Sequence, residues 1–372
     1  MPRKPKILVT SAAGKTGLPT TLQLLEKGYP VRAFVRQQDQ RSDHLKQAGA
    51  DIFVGNAYSY GDMNAAMKGV QRAYHCAPTA LNGLHFGAIF ALAAQENKLE
   101  HVVTLSQWLA HPDHPSVLTR EVWLNETLMT NLDTLSHTVN NVGWFAHNYL
   151  MVTAPIAQLG MLAMPLGEGG EKKNAPPSNE DIAAVNVAAL IDPETHSGKT
   201  YRPTGPALLS PNDMAVTLSK ILGRKVRYTN ISEKLLVKAM LANGFPLSMI
   251  SQLALYCEEY RRGTFAVHSP TTAVQDLTGR PAEDFETLAR RLIESSPDGL
   301  PSLRGKFRAL SGFAKMLMTR APDLEEFERD RDHVLLKKPA FAKEHAAWRQ
   351  NHDPDSGYLP DRPFMGHNTS RF

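Results

Sequence analysis

Cysteine is scarce in this chain: Cys76 and Cys257 are the only two in 372 residues. Two thiols cannot build a disulfide framework, and the low count suits a reducing compartment. Long apolar runs are missing too. Stretches such as 88–94 fall far short of the roughly 18 residues that cross a bilayer, and the apolar run at 7–9 is too short for a secretory leader. Charge of one sign is not in excess, with 41 Lys and Arg against 37 Asp and Glu and a net charge of +4. It is spread rather than blocked, which speaks against a nucleic-acid-binding surface. There is no Gly-x-Ser-x-Gly elbow, internal repeat or low-complexity tract. With 42% hydrophobic and 21% charged residues, the expectation is an ordinary folded cytoplasmic protein with no membrane span, long enough for two lobes.

From the start to about residue 148, short apolar runs alternate with segments of helical period, the pattern of βαβ units on a parallel sheet. Strands are expected at 6–10, 31–35, 51–54, 72–76 and 101–105, with a sixth at 142–145. Helices are expected at 17–27, 40–48, 60–67 and 83–97, with Gly28, Gly49 and Gly69 closing three of them. The predicted fold class is α/β: a Rossmann doubly wound parallel sheet (1–155), a smaller α+β substrate lobe (156–293), some of whose segments can pack on the sheet, and a mostly helical C-terminal extension (294–372). In the smaller lobe, Ser210-Pro211-Asn212-Asp213 reads as a helix start that Gly223 ends. A strand at 225–231 and a helix capped by Ser232 follow.

The extension carries a helical stripe, Leu303, Phe307, Leu310, Ala314 and Leu317, flanked by Arg304, Lys306, Arg308, Lys315 and Arg320. An acidic stretch from Asp323 to Asp332 could fold back on it. The expectation is that the stripe is buried, as a lid on the substrate site or as a homodimer or protein-partner contact, with Trp348, Tyr358, Phe364 and Phe372 anchoring the tail.

Chemistry concentrates at Thr10-Ser11-Ala12-Ala13-Gly14-Lys15-Thr16-Gly17, between the first strand and the first helix. Such a turn presents backbone N–H groups and the positive end of a helix to a phosphate. Ser11 stands where a dinucleotide fingerprint has its first glycine. A triphosphate P-loop needs a glycine five residues before Gly14-Lys15, where this chain has Val9, so that reading is rejected. Arg36, at the end of the second strand, can pair with the 2′-phosphate of NADP, where an acid would bind the ribose hydroxyls of NAD. NADP(H) is therefore favoured over NAD(H), although Asp39 could serve NAD if its loop bends inward.

These blocks, with Gly49-Ala50-Asp51 and Gly55-Asn56, His75-Cys76-Ala77-Pro78, Gly143-Trp144-Phe145 with Asn148, and Leu277-Thr278-Gly279-Arg280-Pro281, resemble the NmrA-like branch of the atypical short-chain dehydrogenases over about residues 4–293. The resemblance implies that Gly14, Lys15, Thr16 and Gly17 hold a pyrophosphate and Arg36 the 2′-phosphate. Asn56 would lie at the adenine, Cys76, Ala77 and Pro78 under the cofactor, and Ser106 and Gln107 near the nicotinamide. The superfamily's catalytic Tyr and Lys would fall at Leu118 and Val122, counting back from Glu126, and neither can move a proton.

His111, Asp113 and His114 follow the fifth strand and could supply a proton, as could His147 and Tyr149. A His-x-x-His pair lacks the further ligands of a zinc site, so no metal is expected. Two functions stay open. One is an oxidoreductase passing hydride from NADPH to a small conjugated, quinone-like or aromatic molecule, for which Met161, Met164, Met240, Met249 and Phe245 offer an apolar pocket. The other is a non-catalytic NADP(H) sensor that binds a protein partner.

Overall fold

The computed structural model describes residues 4–78, 82–151, 153–331 and 335–352. Strands β1 (Ile7–Val9), β2 (Val31–Val35) and β3 (Asp51–Val54) alternate with helices α1 (Gly17–Glu26), α2 (Gln40–Gln47) and α3 (Tyr60–Met67). Then come β4 (Arg72–His75), α4 (Gly83–Glu96), β5 (His101–Gln107), α5 (Val117–Thr130) and β6 (Ser136–Val142). Gly28, Gly49 and Gly69 all adopt positive φ, the left-handed turn that ends a helix without a Cβ penalty.

The rest of the chain forms β7 (Met161–Met164), α6 (Asn179–Ile191), α7 (Pro193–His196), β8 (Thr200–Tyr201), α8 (Pro211–Leu222), β9 (Arg227–Asn230), α9 (Glu233–Ala242) and α10 (Leu247–Arg261). It ends with α11 (Ala273–Thr278), α12 (Phe285–Ser295), α13 (Leu303–Met318), α14 (Leu324–Asp330) and α15 (Ala346–His352). Ser210 and Asp213 cap α8 reciprocally, and Gly223 closes it at φ 60°.

The main sheet has seven parallel strands in the order β3-β2-β1-β4-β5-β6-β8. Strand order reverses between β1 and β4, and a crevice opens there at the carboxyl ends of the strands. The two lobes interleave: β8 joins the main sheet beside β6 and α6 packs against α1, while β7 and β9 make a separate parallel pair. The core of the second lobe gathers Trp144, Tyr149, Met214, Met240 and Tyr260, and takes in Trp348 from the extension.

Two expectations are corrected. The sixth strand runs from Ser136 to Val142, not 142–145, because most of its buried side chains are polar and so give no apolar signal. His137 Nε2 lies 2.8 Å from Thr104 Oγ1, and the Asn140 amide donates to Asn186 Oδ1 at 2.7 Å. The second correction concerns the lid expected of α13: among the chain's described residues its stripe covers nothing. Leu303, Phe307, Leu310 and Leu317 are exposed, as is Ala314, and what is buried is Gly305, Ala309 and Met316 on the opposite face. Small residues let the helix approach closely: a Cβ on Gly305 would sit 2.6 Å from Gln158 Cδ. Buried Gln158 holds the start of α13, donating to the Asp298 and Leu300 carbonyls at 2.8 Å and accepting from Ser302 N at 3.0 Å. The acidic helix α14 packs on α10, with Glu328 near Arg120.

The end of the extension docks on the loop after β5. Ala340 N donates to Asp113 O at 2.9 Å, and Trp348 Nε1 to Trp108 O at 2.7 Å. The expected anchors Tyr358, Phe364 and Phe372 lie outside the described residues. Among the described residues no helix is long and apolar enough to cross a membrane.

Candidate functional site

A cleft of about 810 Å³ occupies the crevice at the sheet's carboxyl edge. Its floor is the turn after β1, the residues after β4 and the end of β5. Ser11, Gly14, Lys15, Thr16, Cys76, Ala77, Pro78, Ser106 and Gln107 all line it, as does His147. Nine of the thirteen residues singled out for a cofactor thus meet in one space.

The turn is built for close approach. Ser11 adopts φ 49°, so the backbone keeps the left-handed geometry of the missing glycine, and its hydroxyl donates to Cys76 O at 2.9 Å. A Cβ on Gly14 would fall 2.8 Å from the Ser11 carbonyl, and one on Gly17 would collide with the same group. Thr10 stands behind, its hydroxyl donating to Tyr74 O and accepting from Cys76 N, each at 2.9 Å. It ties the ends of β1 and β4 together. These residues fit a dinucleotide pyrophosphate, since side chains are excluded where the phosphates approach.

Arg36 and Asn56 lie outside this cleft, both exposed, following β2 and β3 on the same edge of the sheet. Asn56 Oδ1 accepts from Tyr58 N at 3.0 Å. Asp39 caps α2, accepting from Arg41 N at 2.9 Å and Ser42 N at 3.3 Å, and its carboxylate pairs with the Arg41 guanidinium at 2.7 Å. That bond to Arg41 holds its pKa down to about 2.

Lys15 has its pKa lowered by burial and by the nearby charge of Arg41. Burial, helped by Lys15, takes His147 down to about 4, so its imidazole is neutral at pH 7. Burial raises the Cys76 thiol, which leaves it no thiolate character at that pH.

His111 and His114 do not line the cleft. His114 Nε2 lies 3.3 Å from Glu259 Oε1, and His111 stacks on His345 at 4.4 Å between centroids, beneath the docked extension. Tyr149 is buried against Trp144 and Phe285 and accepts from Asn174 Nδ2 at 3.2 Å. Among the described residues no group of three His, Cys, Asp or Glu is placed to hold a metal.

Of the expected apolar pocket, Phe245 and Met249 line the cleft and Met161, Met164 and Met240 do not, while Leu253 and Tyr256 join it with no signal in the sequence. Trp144, Phe145, Phe245, Met249, Leu253 and Tyr256 make an apolar and aromatic wall facing the turn. Tyr256 donates its phenol to Gln107 Oε1 across a separation of 149 residues, with Thr119 Oγ1 at 3.4 Å. Burial pushes its pKa above the usual tyrosine value. Behind the floor, Ser106 donates to the buried carboxyl of Glu126, which burial raises to about 7. Val122 lines the cleft.

The model of the NmrA-like family matches residues 3–275. The chain belongs to the NmrA-like family. It is 31% identical over 289 residues to an NAD(P)H azoreductase of Xenophilus azovorans, an overlap of 76% of this chain and 96% of that protein. Among solved structures, it is similar to an NADPH-dependent quinone oxidoreductase from Escherichia coli complexed with NADPH. The TM-score is 0.65 at 24% identity, covering 77% of this chain and 99% of that one. NmrA, a negative transcriptional regulator in complex with NAD, superposes with a TM-score of 0.65 at 18% identity over 80% of this chain and 98% of its own. At those identities the two structures speak for the fold. The NmrA-like match ends before α12, so α13–α15 lie beyond it.

Proposed function

We propose that the protein is an NADPH-dependent oxidoreductase that reduces small conjugated, quinone-like or aromatic compounds without the Tyr and Lys pair of its superfamily. The observation that carries this is the lining of the cleft: a glycine turn with Lys15 shares one space with the apolar and aromatic side chains of Trp144, Phe145, Phe245, Met249 and Leu253. A protein that only sensed its nucleotide would have no use for an apolar wall beside it.

Bound NADPH supplies a hydride to such a substrate. Gly14, Lys15, Thr16 and Gly17 hold the pyrophosphate, Cys76, Ala77 and Pro78 pack under the cofactor, and Ser106 and Gln107 stand near the nicotinamide. Arg36 meets the 2′-phosphate. Asp39 is engaged as the cap of α2 and by Arg41, which supports the reading for NADP over NAD. Tyr256, protonated at neutral pH, donates its one phenolic proton to Gln107 Oε1 and would have to turn it from Gln107 to the substrate's oxygen or nitrogen. Quinones and azo compounds accept hydride readily, so one hydrogen bond suffices where a Tyr and Lys pair is missing.

The test is NADPH oxidation with quinones, enones and azo dyes, beside a pull-down with and without NADP(H). Turnover with one of these classes supports the reading. Cofactor binding without turnover, together with a partner captured only in its presence, replaces it with a regulatory role, which Leu118 and Val122 would favour.

A further inference from the structure

A second, apolar chamber of about 290 Å³ lies beside the cleft, between β7, α9 and α13. Protein interiors hold few voids larger than a water molecule. This one is roughly twice the ~150 Å³ cavity that stays dry and admits benzene. Met151, Met161, Met164, Met240 and Met316 are in its walls, flexible side chains that adapt to varied apolar guests. Asn148, Met151 and Leu253 line both the chamber and the cleft, so the two spaces adjoin at these residues. At the rim, Asp298 and Arg308 are paired with each other, and no unpaired charge there calls for a charged guest.

The roof is supplied by α13, from the part of the chain beyond the family match. Its two glycines differ. Gly305 is required by its contact with Gln158, whereas a Cβ on Gly312 would meet no atom within 4 Å. A glycine inside a helix is less stable than an alanine there, and no neighbour demands this one. Its effect is to leave the chamber uncrowded where Gly312 lines it.

We infer that the chamber receives the apolar tail of a substrate whose conjugated head lies in the cleft, so that the protein acts on lipophilic, alkyl- or prenyl-tailed quinone-like molecules in preference to tail-less ones. The inference rests on the function proposed above for the head group. The occupant follows from adjacency: the two spaces are bordered by the same side chains, and a rotation of the flexible Met151 would join them for a tail to pass. The extension thereby sets substrate choice without touching the cofactor.

The experiment measures equilibrium binding of fully substituted 1,4-benzoquinones, with tails from methyl to decyl, to the full chain saturated with NADP+, where no hydride is available. Burial of one methylene is worth up to about fourfold in affinity. Kd should therefore fall two- to fourfold per added carbon until the chamber is full. Gly312→Phe should flatten that dependence and Gly312→Ala preserve it, with the affinity for the methyl compound unchanged in both. A flat series in the natural protein, or an equally steep one in Gly312→Phe, overturns the inference. NADPH oxidation with the methyl compound is followed in parallel. Tail-dependent binding that Gly312→Phe abolishes, with no oxidation, sustains the chamber and sinks only the hydride-transfer reading.

Discussion

Tyr256 on α10 donates its phenol to Gln107 at the end of β5, and this bond joins the second lobe to the floor of the cleft. The phenol shares the cleft with Val122 of helix α5. Tyr256→Phe removes one hydrogen bond of about 1 to 1.5 kcal/mol. We expect kcat/KM for quinone reduction to fall about tenfold with NADPH affinity unchanged. Steady-state kinetics and cofactor titration check this, and equal loss of NADPH affinity would mean that the bond only shapes the cleft.

Arg36→Ala tests the cofactor preference. One charge-assisted bond to a phosphate is worth roughly 1.5 to 3 kcal/mol, so NADPH should bind ten- to a hundredfold more weakly while NADH is unaffected. Fluorescence titration with both nucleotides measures it. Unchanged NADPH affinity would move the 2′-phosphate contact to Arg41.

Glu126 makes stability depend on pH in a set direction. Its pKa is raised from 4.5 to about 7 by burial, so the folded chain keeps a proton that the unfolded chain has released. The stability it contributes is full below pH 4.5 and is lost as pH rises through 7, by about 3 kcal/mol. Glu126→Gln should therefore gain about that much relative to the natural protein between pH 4 and pH 8 in denaturant unfolding. Parallel profiles would show that Glu126 is ionised throughout.

The two faces of α13 should respond oppositely. Gln158→Ala strands the Asp298 and Leu300 carbonyls and Ser302 N, and should cost about 1 to 3 kcal/mol. Phe307→Ser, on the exposed ridge, should change stability by no more than about 0.5 kcal/mol. Urea unfolding decides, and a large loss in Phe307→Ser would show the ridge covered by a second copy.

The histidines under the extension predict an acid-sensitive end of the chain. Burial, helped by the charges of His114, His345 and His352, takes His111 to about 2, and burial takes His352 to about 3. Around them stand Asp113 on His345, Glu259 on His114, and Arg202 over the Trp108 ring at 3.4 Å. Both groups fold neutral, so the stability they contribute is full above about pH 6.5 and falls as pH drops. Hydrogen exchange across 335–352 should quicken between pH 7 and pH 5 relative to β1 and β4, and equal protection at both would remove the His stack as the cause.

The phosphate turn was legible because its demands are local. Gly14 and Gly17 are needed where a Cβ would strike the Ser11 carbonyl, and that requirement sits within a few residues of chain. The β-strands of the first lobe were legible from apolar alternation wherever their inward residues are apolar. They became illegible at β6, where His137, Thr138 and Asn140 are buried with hydrogen-bonded partners far away in sequence. The face of α13 was misread for a related reason. Periodicity identifies a helix, but which side docks depends on how closely the backbone can approach, and Gly305 and Ala309 permit a nearer contact than Phe307 and Leu310 could.

By itself, then, the sequence determined the α/β class, the turn that fits a dinucleotide, Arg36 at the end of β2 and the lack of a Tyr and Lys pair on α5, because each is written in contiguous residues. Only the tertiary structure decided that Tyr256 reaches Gln107, that His111 and His114 lie under the extension instead of in the cleft, and that Gly312 opens onto an apolar chamber. Those relations join elements more than a hundred residues apart, and side chains meet at such distances through packing, which no local pattern encodes.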